Sequence, residues 1–110
     1  MNKVYFDSAA TTQIREEVID RMTQVLKETY GNPSSTHSHG RSAKSQIEQA
    51  RKTVAEILNV KASEIVFTSG GTEADNLALN SAVRDLGVQR IITSRLEHHA
   101  VLYTVEQLQE

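Results

Sequence analysis

The chain has 110 residues and contains no cysteine and no tryptophan, one proline, and only 5% aromatic residues. The lack of cysteine excludes disulfides, thiolate metal sites and a cysteine nucleophile within these residues. No apolar run approaches the roughly 20 residues of a membrane span, and the N-terminus lacks a basic segment followed by an apolar one. We therefore predict no membrane association and take a cytoplasmic location as the default.

Charge is low and evenly spread. Twelve basic and 14 acidic side chains give a net charge of −2, and neither sign is clustered. This balance argues against a nucleic-acid-binding surface. A length of 110 residues corresponds to about one domain, or to a piece of a larger one.

The most informative stretch is 65–76, where three β-favouring apolar residues lead into Gly70-Gly71 and then into a helical pattern. Such a strand–turn–helix unit, with Thr72 as the expected N-cap, directs backbone N–H groups and the positive end of the helix dipole outward. That arrangement suits a phosphate, to which the hydroxyl of Ser69 can also donate. An ordinary turn in an α/β domain explains the pattern equally well, and Glu73 in the first turn would repel an anion unless it points away.

Apolar residues spaced three and four apart predict further helices, and short apolar runs predict strands. Thr12 is the expected cap of the first helix, Gly31 its C-cap, and Asn59 the end of the second. The two strands that flank the third helix are expected to be neighbouring and parallel, giving an α/β fold. The predicted helices are 14–30, 41–58, the segment from Thr72 towards Gly87, and 101 to the C-terminus; the predicted strands are 4–6, 65–69 and 90–94.

His98 follows the strand 90–94, just as Gly71 and Thr72 follow the strand 65–69. Ligands of open α/β sheets bind at the carboxyl ends of the strands, so a phosphate seat and an imidazole are expected to face one cavity. His98 beside a bound aromatic ligand can stack on it and exchange protons. A helix-start histidine bonded to the backbone is an equally good explanation. We predict no metal site, because no acidic or thiolate ligand is suitably spaced from the histidines.

Four motifs resemble the N-terminal part of the NifS/IscS-type cysteine desulfurases, which belong to the class V aminotransferases. They are Tyr-Phe-Asp-Ser-Ala-Ala-Thr-Thr at 5–12, Gly-Asn-Pro-Ser-Ser at 31–35, Phe-Thr-Ser-Gly-Gly-Thr-Glu-Ala-Asp-Asn at 67–76, and the segment 94–98. The resemblance spans nearly the whole chain in the right order. It implies the N-terminal part of an aspartate aminotransferase-like fold, an α/β sandwich with a mostly parallel sheet, in which 1–30 is a first segment and 31–110 begins the large cofactor-binding domain.

The same resemblance implies pyridoxal 5'-phosphate as the cofactor. Gly71 and Thr72 match the donors to its phosphate, and His98 matches the histidine that stacks on its ring and takes part in proton transfer. Ala10 and Thr11 match the small segment on the substrate side of the pocket, and Asn32 matches a loop near the same cleft.

Three of the family's reactive groups have no counterpart in these 110 residues: the Schiff-base lysine of a Ser-x-His-Lys motif, the aspartate at the pyridine nitrogen, and the persulfide-forming cysteine. We therefore expect an incomplete, N-terminal portion that is inactive alone. The full-length parent is expected to convert L-cysteine to L-alanine as a homodimer and to pass sulfur to an acceptor or scaffold protein, typically for iron–sulfur clusters. The alternatives are a selenocysteine lyase, or a non-catalytic module that binds a phosphate ligand or a partner.

Overall fold

A computed structural model describes residues 3–109, which form two compact units. The first unit ends at Ile65 and the second begins at Val66. Each predicted helix is present, and the ends differ from the predictions by a few residues. The helices are α1 (Glu16–Glu28), α2 (Ser38–Leu58), α3 (Gly71–Arg84) and α4 (His99–Gln107), with a 3₁₀ turn at Ala62–Glu64.

The predicted strands are not formed within residues 3–109. Segments 4–6, 65–69 and 90–94 carry no strand, so the expected parallel pair is wrong for this structure. An isolated pair of short strands is only marginally stable in water, and parallel pairing is the weaker kind, so these segments need more neighbouring strands than the described residues offer.

In the first unit, α2 is the principal element. It begins three residues earlier than predicted because His37 caps it: the Nδ1 atom accepts a hydrogen bond from the Gly40 N–H at 3.3 Å. It ends as predicted, at Asn59, which adopts the left-handed conformation with φ 55° and ψ 46°. The 3₁₀ turn packs against α2, and the Arg51 guanidinium donates to the Ile65 carbonyl.

Helix α1 shows that the predicted caps were wrong. It begins after Arg15 rather than Thr12, without a side-chain cap, and ends before Thr29 rather than at Gly31. Thr29 leaves the helical region at φ −126° and ψ 58° while its N–H still bonds the Val25 carbonyl, so no glycine is required to stop the helix.

The second unit consists of α3 packed against α4. Ala100, Thr104 and Val105 are the buried residues of α4. Gly87, at φ 69°, supplies the left-handed turn that follows α3. Helix α4 ends at Gln107, with Leu108 as its C-cap, and so stops short of the predicted end; Glu110 lies outside the described residues. Within residues 3–109, none of the helices has the length and apolar character needed to cross a membrane.

Candidate functional site

The start of α3 is open, as an anion-binding helix start must be. The helix begins at Gly71 with Gly70 as its N-cap, so the prediction of Thr72 as the cap was wrong. A Cβ atom added at Gly70 or Gly71 would meet nothing within 4 Å. Among residues 3–109, no acceptor bonds the N–H groups of Gly71 and Thr72. These groups, together with the helix dipole, are available to a bound anion.

Glu73 does not occupy this space, because its carboxylate folds back onto Ser69. The Oε2 atom accepts hydrogen bonds from the Ser69 hydroxyl at 2.6 Å and from the Ser69 N–H at 2.7 Å. Both bonds favour the charged form, the hydroxyl more than the N–H, so the pKa of Glu73 is lowered from its usual value. The Ser69 hydroxyl, predicted as a donor to phosphate, is therefore already committed to Glu73.

His98 caps the start of α4. Its Nδ1 atom accepts a hydrogen bond from the Ala100 N–H at 3.1 Å. An accepting Nδ1 assigns the neutral ring's proton to Nε2. The backbone bond expected of a structural histidine is thus present, and it leaves the ring exposed, with Nε2–H as its remaining polar group.

Thr72 and His98 line one open groove of about 280 Å³. The helix start and the imidazole therefore face a common space, as predicted from their positions after the two apolar segments. The remaining residues lining this groove are Asn76, His99, Ala100, Tyr103, Thr104 and Gln107.

Asn76 and Thr104 were not singled out from the sequence, although they hold this groove together. The Thr104 hydroxyl lies 2.7 Å from both Asn76 Oδ1 and the Ala100 carbonyl oxygen and shares its one proton between them. Asn76 Nδ2 bonds the carbonyl oxygens of Thr72 at 2.8 Å and Ala100 at 3.4 Å. One signal was present in the sequence: asparagine is a poor helix former, so an asparagine in a helix interior indicates that its side chain has a specific partner.

The three residues predicted to lie on the substrate side belong to the first unit. Ala10 and Thr11 are exposed in a turn where both N–H groups bond the Asp7 carbonyl, at 3.1 and 3.3 Å. The Asn32 side chain accepts a hydrogen bond from the Ser34 N–H at 2.9 Å, which shapes the loop before α2. Their predicted role in substrate binding stays a prediction.

Other chemistry is scarce in the described part of the chain. A larger groove of about 690 Å³ is lined by Val83, Val105, Leu108, Gln109 and residues 87–91, and Arg90 is the only charged side chain among them. Residues 3–109 contain no group of three or more histidines and carboxylates that could hold a metal ion.

Residues 4–110 match the aminotransferase class-V family, and the chain belongs to that family. Cysteine desulfurase IscS of Dictyoglomus turgidum is 49% identical over 102 residues, which cover 91% of this chain and 26% of that protein. Cysteine desulfurase IscS of Methanosarcina thermophila is 48% identical over 109 residues, covering 96% of this chain and 27% of that protein. The IscS-like cysteine desulfurase of Mycobacterium tuberculosis is 47% identical over 111 residues, with 96% and 28% covered.

The solved structure of a NifS-like protein aligns with a TM-score of 0.87 at 41% identity, covering 98% of this chain and 30% of that one. This likeness confirms the predicted fold class, part of the α/β fold of class V aminotransferases, even though no strand is formed within residues 3–109. The chain spans between 26% and 30% of the length of the relatives described above.

Proposed function

We infer that this chain is the N-terminal part of a pyridoxal phosphate-dependent cysteine desulfurase, which converts L-cysteine to L-alanine and passes the sulfur on as a persulfide. The observation that carries the inference is the identity of 47–49% to three cysteine desulfurases from distant organisms, over nearly all of this chain. The match to the aminotransferase class-V family agrees with this assignment.

The helix start of α3 fits the phosphate of the cofactor. Gly71 and Thr72 offer two uncommitted N–H groups at the positive end of a 14-residue helix, and the absence of side chains at Gly70 and Gly71 leaves room for the ligand. The Glu73 carboxylate is hydrogen-bonded to the hydroxyl and the N–H of Ser69 and does not occupy the space at the helix start. We assign Gly71 and Thr72 to phosphate binding.

His98 is assigned to the cofactor ring. Its imidazole shares a groove with Thr72, so His98 would lie in the same space as a cofactor held by its phosphate at the helix start. The Ala100 N–H fixes the orientation through Nδ1, and Nε2 is the atom at which His98 holds or transfers a proton. When bound, pyridoxal phosphate supplies an electron sink for the bonds at the substrate's α-carbon.

The remaining roles follow the family resemblance. Ala10, Thr11 and Asn32 are proposed to contact the substrate side, and residues 31–110 to begin the large cofactor-binding domain. The reactive lysine, the aspartate at the pyridine nitrogen and the nucleophilic cysteine have no counterpart in the 110 residues, so we propose that they are supplied by further sequence. The whole enzyme is proposed to be a cytoplasmic homodimer that transfers sulfur to an acceptor or scaffold protein for iron–sulfur cluster assembly.

The first test is the reading frame of the source gene beyond codon 110. We expect it to continue to a Ser-x-His-Lys motif and to a cysteine. A stop codon at that point would instead favour a non-catalytic module that binds a phosphate ligand or a partner.

The second test is an assay of alanine and sulfide from L-cysteine and pyridoxal phosphate, against a control with cofactor alone. The intact protein is expected to turn over cysteine, and the 110-residue chain is expected to match the control. Turnover by the short chain above the control contradicts the assignment of the missing groups. A clear preference for selenocysteine by the intact protein would identify a selenocysteine lyase.

A further inference from the structure

The side-chain amide of Asn76 connects the two helices that line the groove. Its Nδ2 atom donates to the Thr72 carbonyl one turn back in α3, at 2.8 Å, and to the Ala100 carbonyl in α4, at 3.4 Å. Its Oδ1 atom lies 2.7 Å from the Thr104 hydroxyl of α4, whose one proton is shared between Oδ1 and the Ala100 carbonyl oxygen at the same distance. Both ends of one amide are therefore used, and two of its three partners lie on the other helix.

These partners permit only one orientation of the amide. A reversed Asn76 would place Oδ1 against two carbonyl oxygens, those of Thr72 and Ala100, and both pairs would repel. Thr104 is 4% exposed and Ala100 is 7% exposed, so water has little access to this contact, and without Asn76 the Thr104 hydroxyl would keep only the Ala100 carbonyl of its own helix as an acceptor. The contact between α3 and α4 is thus specified by polar groups at this point, and not by apolar packing alone.

Ala100 carries this contact to His98. Its carbonyl accepts from Asn76, while its N–H donates to His98 Nδ1 at 3.1 Å. On the other wall of the groove, the Thr72 carbonyl accepts from the same Asn76 amide. The amide therefore bonds the first turn of each helix, and each first turn carries one of the groups assigned to the cofactor.

We propose that Asn76 is a positioning residue that holds the imidazole of His98 at a fixed place across the groove from the Thr72 helix start. Its effect on turnover rests on the function proposed above. Its effect on the His98 ring does not, because the bonds involved lie entirely within this chain.

Asn80 provides a matched control. It has the same residue type one turn further along α3, is likewise half-buried, and makes the same kind of backward bond, from Nδ2 to the Asn76 carbonyl at 2.9 Å. This bond of its side chain stays within α3. Asn80→Ala therefore shows how the loss of such an intrahelical bond changes stability and activity when the link to α4 is kept.

The test uses the intact protein with ¹⁵N-labelled histidine at alkaline pH, first without cofactor. In the unmodified protein, His98 is expected to be a single tautomer with its proton on Nε2. Asn76→Ala and Thr104→Val are expected to give a mixture of tautomers, whereas Asn80→Ala keeps the single one. Thr104→Ser, which retains the hydroxyl, is expected to keep His98 as the single tautomer.

Turnover of the cofactor-loaded protein is the second readout. Because an error of about 1 Å in position can cost on the order of 100-fold in rate, Asn76→Ala is expected to lower kcat by about tenfold or more, with a smaller change in KM. Asn80→Ala is expected to leave kcat within about twofold of the unmodified value.

The proposal is overturned if Asn76→Ala lowers the melting temperature as Asn80→Ala does but leaves the His98 tautomer and kcat unchanged, because Asn76 is then structural only. If Asn76→Ala does not fold, the comparison of Thr104→Val with Thr104→Ser decides in the same way. An intact protein without desulfurase activity would contradict the proposed function, whereas the tautomer measurement would still decide the role of Asn76.

Discussion

At the scale of single residues, Glu73 shows how a chain manages negative charge beside an anion-binding helix start. Its lowered pKa arises first from the Ser69 hydroxyl and then from the Ser69 N–H. Because the pKa is lower in the folded state, the contact stabilises the fold above the pKa of the unfolded chain, and this stabilisation is lost as the pH falls through the lowered value. The start of α3 should therefore loosen in acid.

Ser69→Ala tests this contact. Removing the hydroxyl leaves only the N–H donor, so the pKa of Glu73 should rise towards its usual value and remain below it. A ¹³C titration of the Glu73 carboxyl carbon measures the change. Thr68→Val is the control, because the Thr68 hydroxyl donates to the Gly70 carbonyl and not to Glu73. Identical Glu73 titrations in Ser69→Ala and the unmodified chain would show that the hydroxyl is not a significant donor.

The sequence predicted those residues of the groove that depend on local pattern. Thr72 and His98 were placed together because each follows an apolar segment before a helix, and both line the groove. Asn76 and Thr104 were missed, since their bond joins residues 28 positions apart and depends on how α3 packs on α4. The cap was misplaced because glycine at the N-cap leaves Thr72 inside the helix.

At the scale of elements, periodicity predicted every helix, but not their starts. The spacing of apolar residues is a property of a whole segment, whereas a helix start depends on one side chain, such as His37 for α2, which is not among the preferred capping residues. Local composition alone could not produce the strands, because the backbone N–H and C=O groups of a strand must bond those of a neighbouring strand. A helix, by contrast, bonds most of its own backbone groups to one another.

The first turn of α2 packs closely against the loop before it and should not tolerate added volume there. A Cβ at Gly40 would lie closer than 3.0 Å to the carbonyl oxygens of Ser35 and Asn32, and backbone atoms cannot move aside cheaply. Gly40→Ala should therefore destabilise the chain by about 1–3 kcal/mol, in the range of overpacking, even though alanine is the better helix former. Urea unfolding followed by circular dichroism measures this.

Gly71→Ala is the matched control for that prediction. Gly71 also lies in the first turn of a helix, and nothing lies within 4 Å of a Cβ placed there. The substitution should stabilise the chain by up to about 1 kcal/mol. If Gly40→Ala and Gly71→Ala changed the free energy of unfolding by the same amount and in the same direction, the loop before α2 would be able to move away from the added methyl group without destabilising the chain.

At the scale of the whole molecule, large apolar side chains of the described residues remain in contact with solvent. Phe6 is 92% exposed, Ile92 91% and Leu96 96%, and the segments predicted as strands form no strand within residues 3–109. Exposed apolar surface of this extent favours association. The 110-residue chain alone should therefore self-associate as its concentration rises, which light scattering after gel filtration measures; a monomer at all concentrations would contradict this.

The small set of buried apolar residues also has a calorimetric consequence. Heat-capacity change on unfolding comes chiefly from apolar surface that becomes hydrated, at about 12–15 cal/mol/K per residue for ordinary globular proteins. Within residues 3–109 the buried apolar side chains are those of Ala43, Ala55, Ala100 and Val105, three of which are only methyl groups. The chain alone therefore has little buried apolar surface to hydrate on unfolding, so its heat-capacity increment should fall well below that range, and its free energy of unfolding should curve less with temperature.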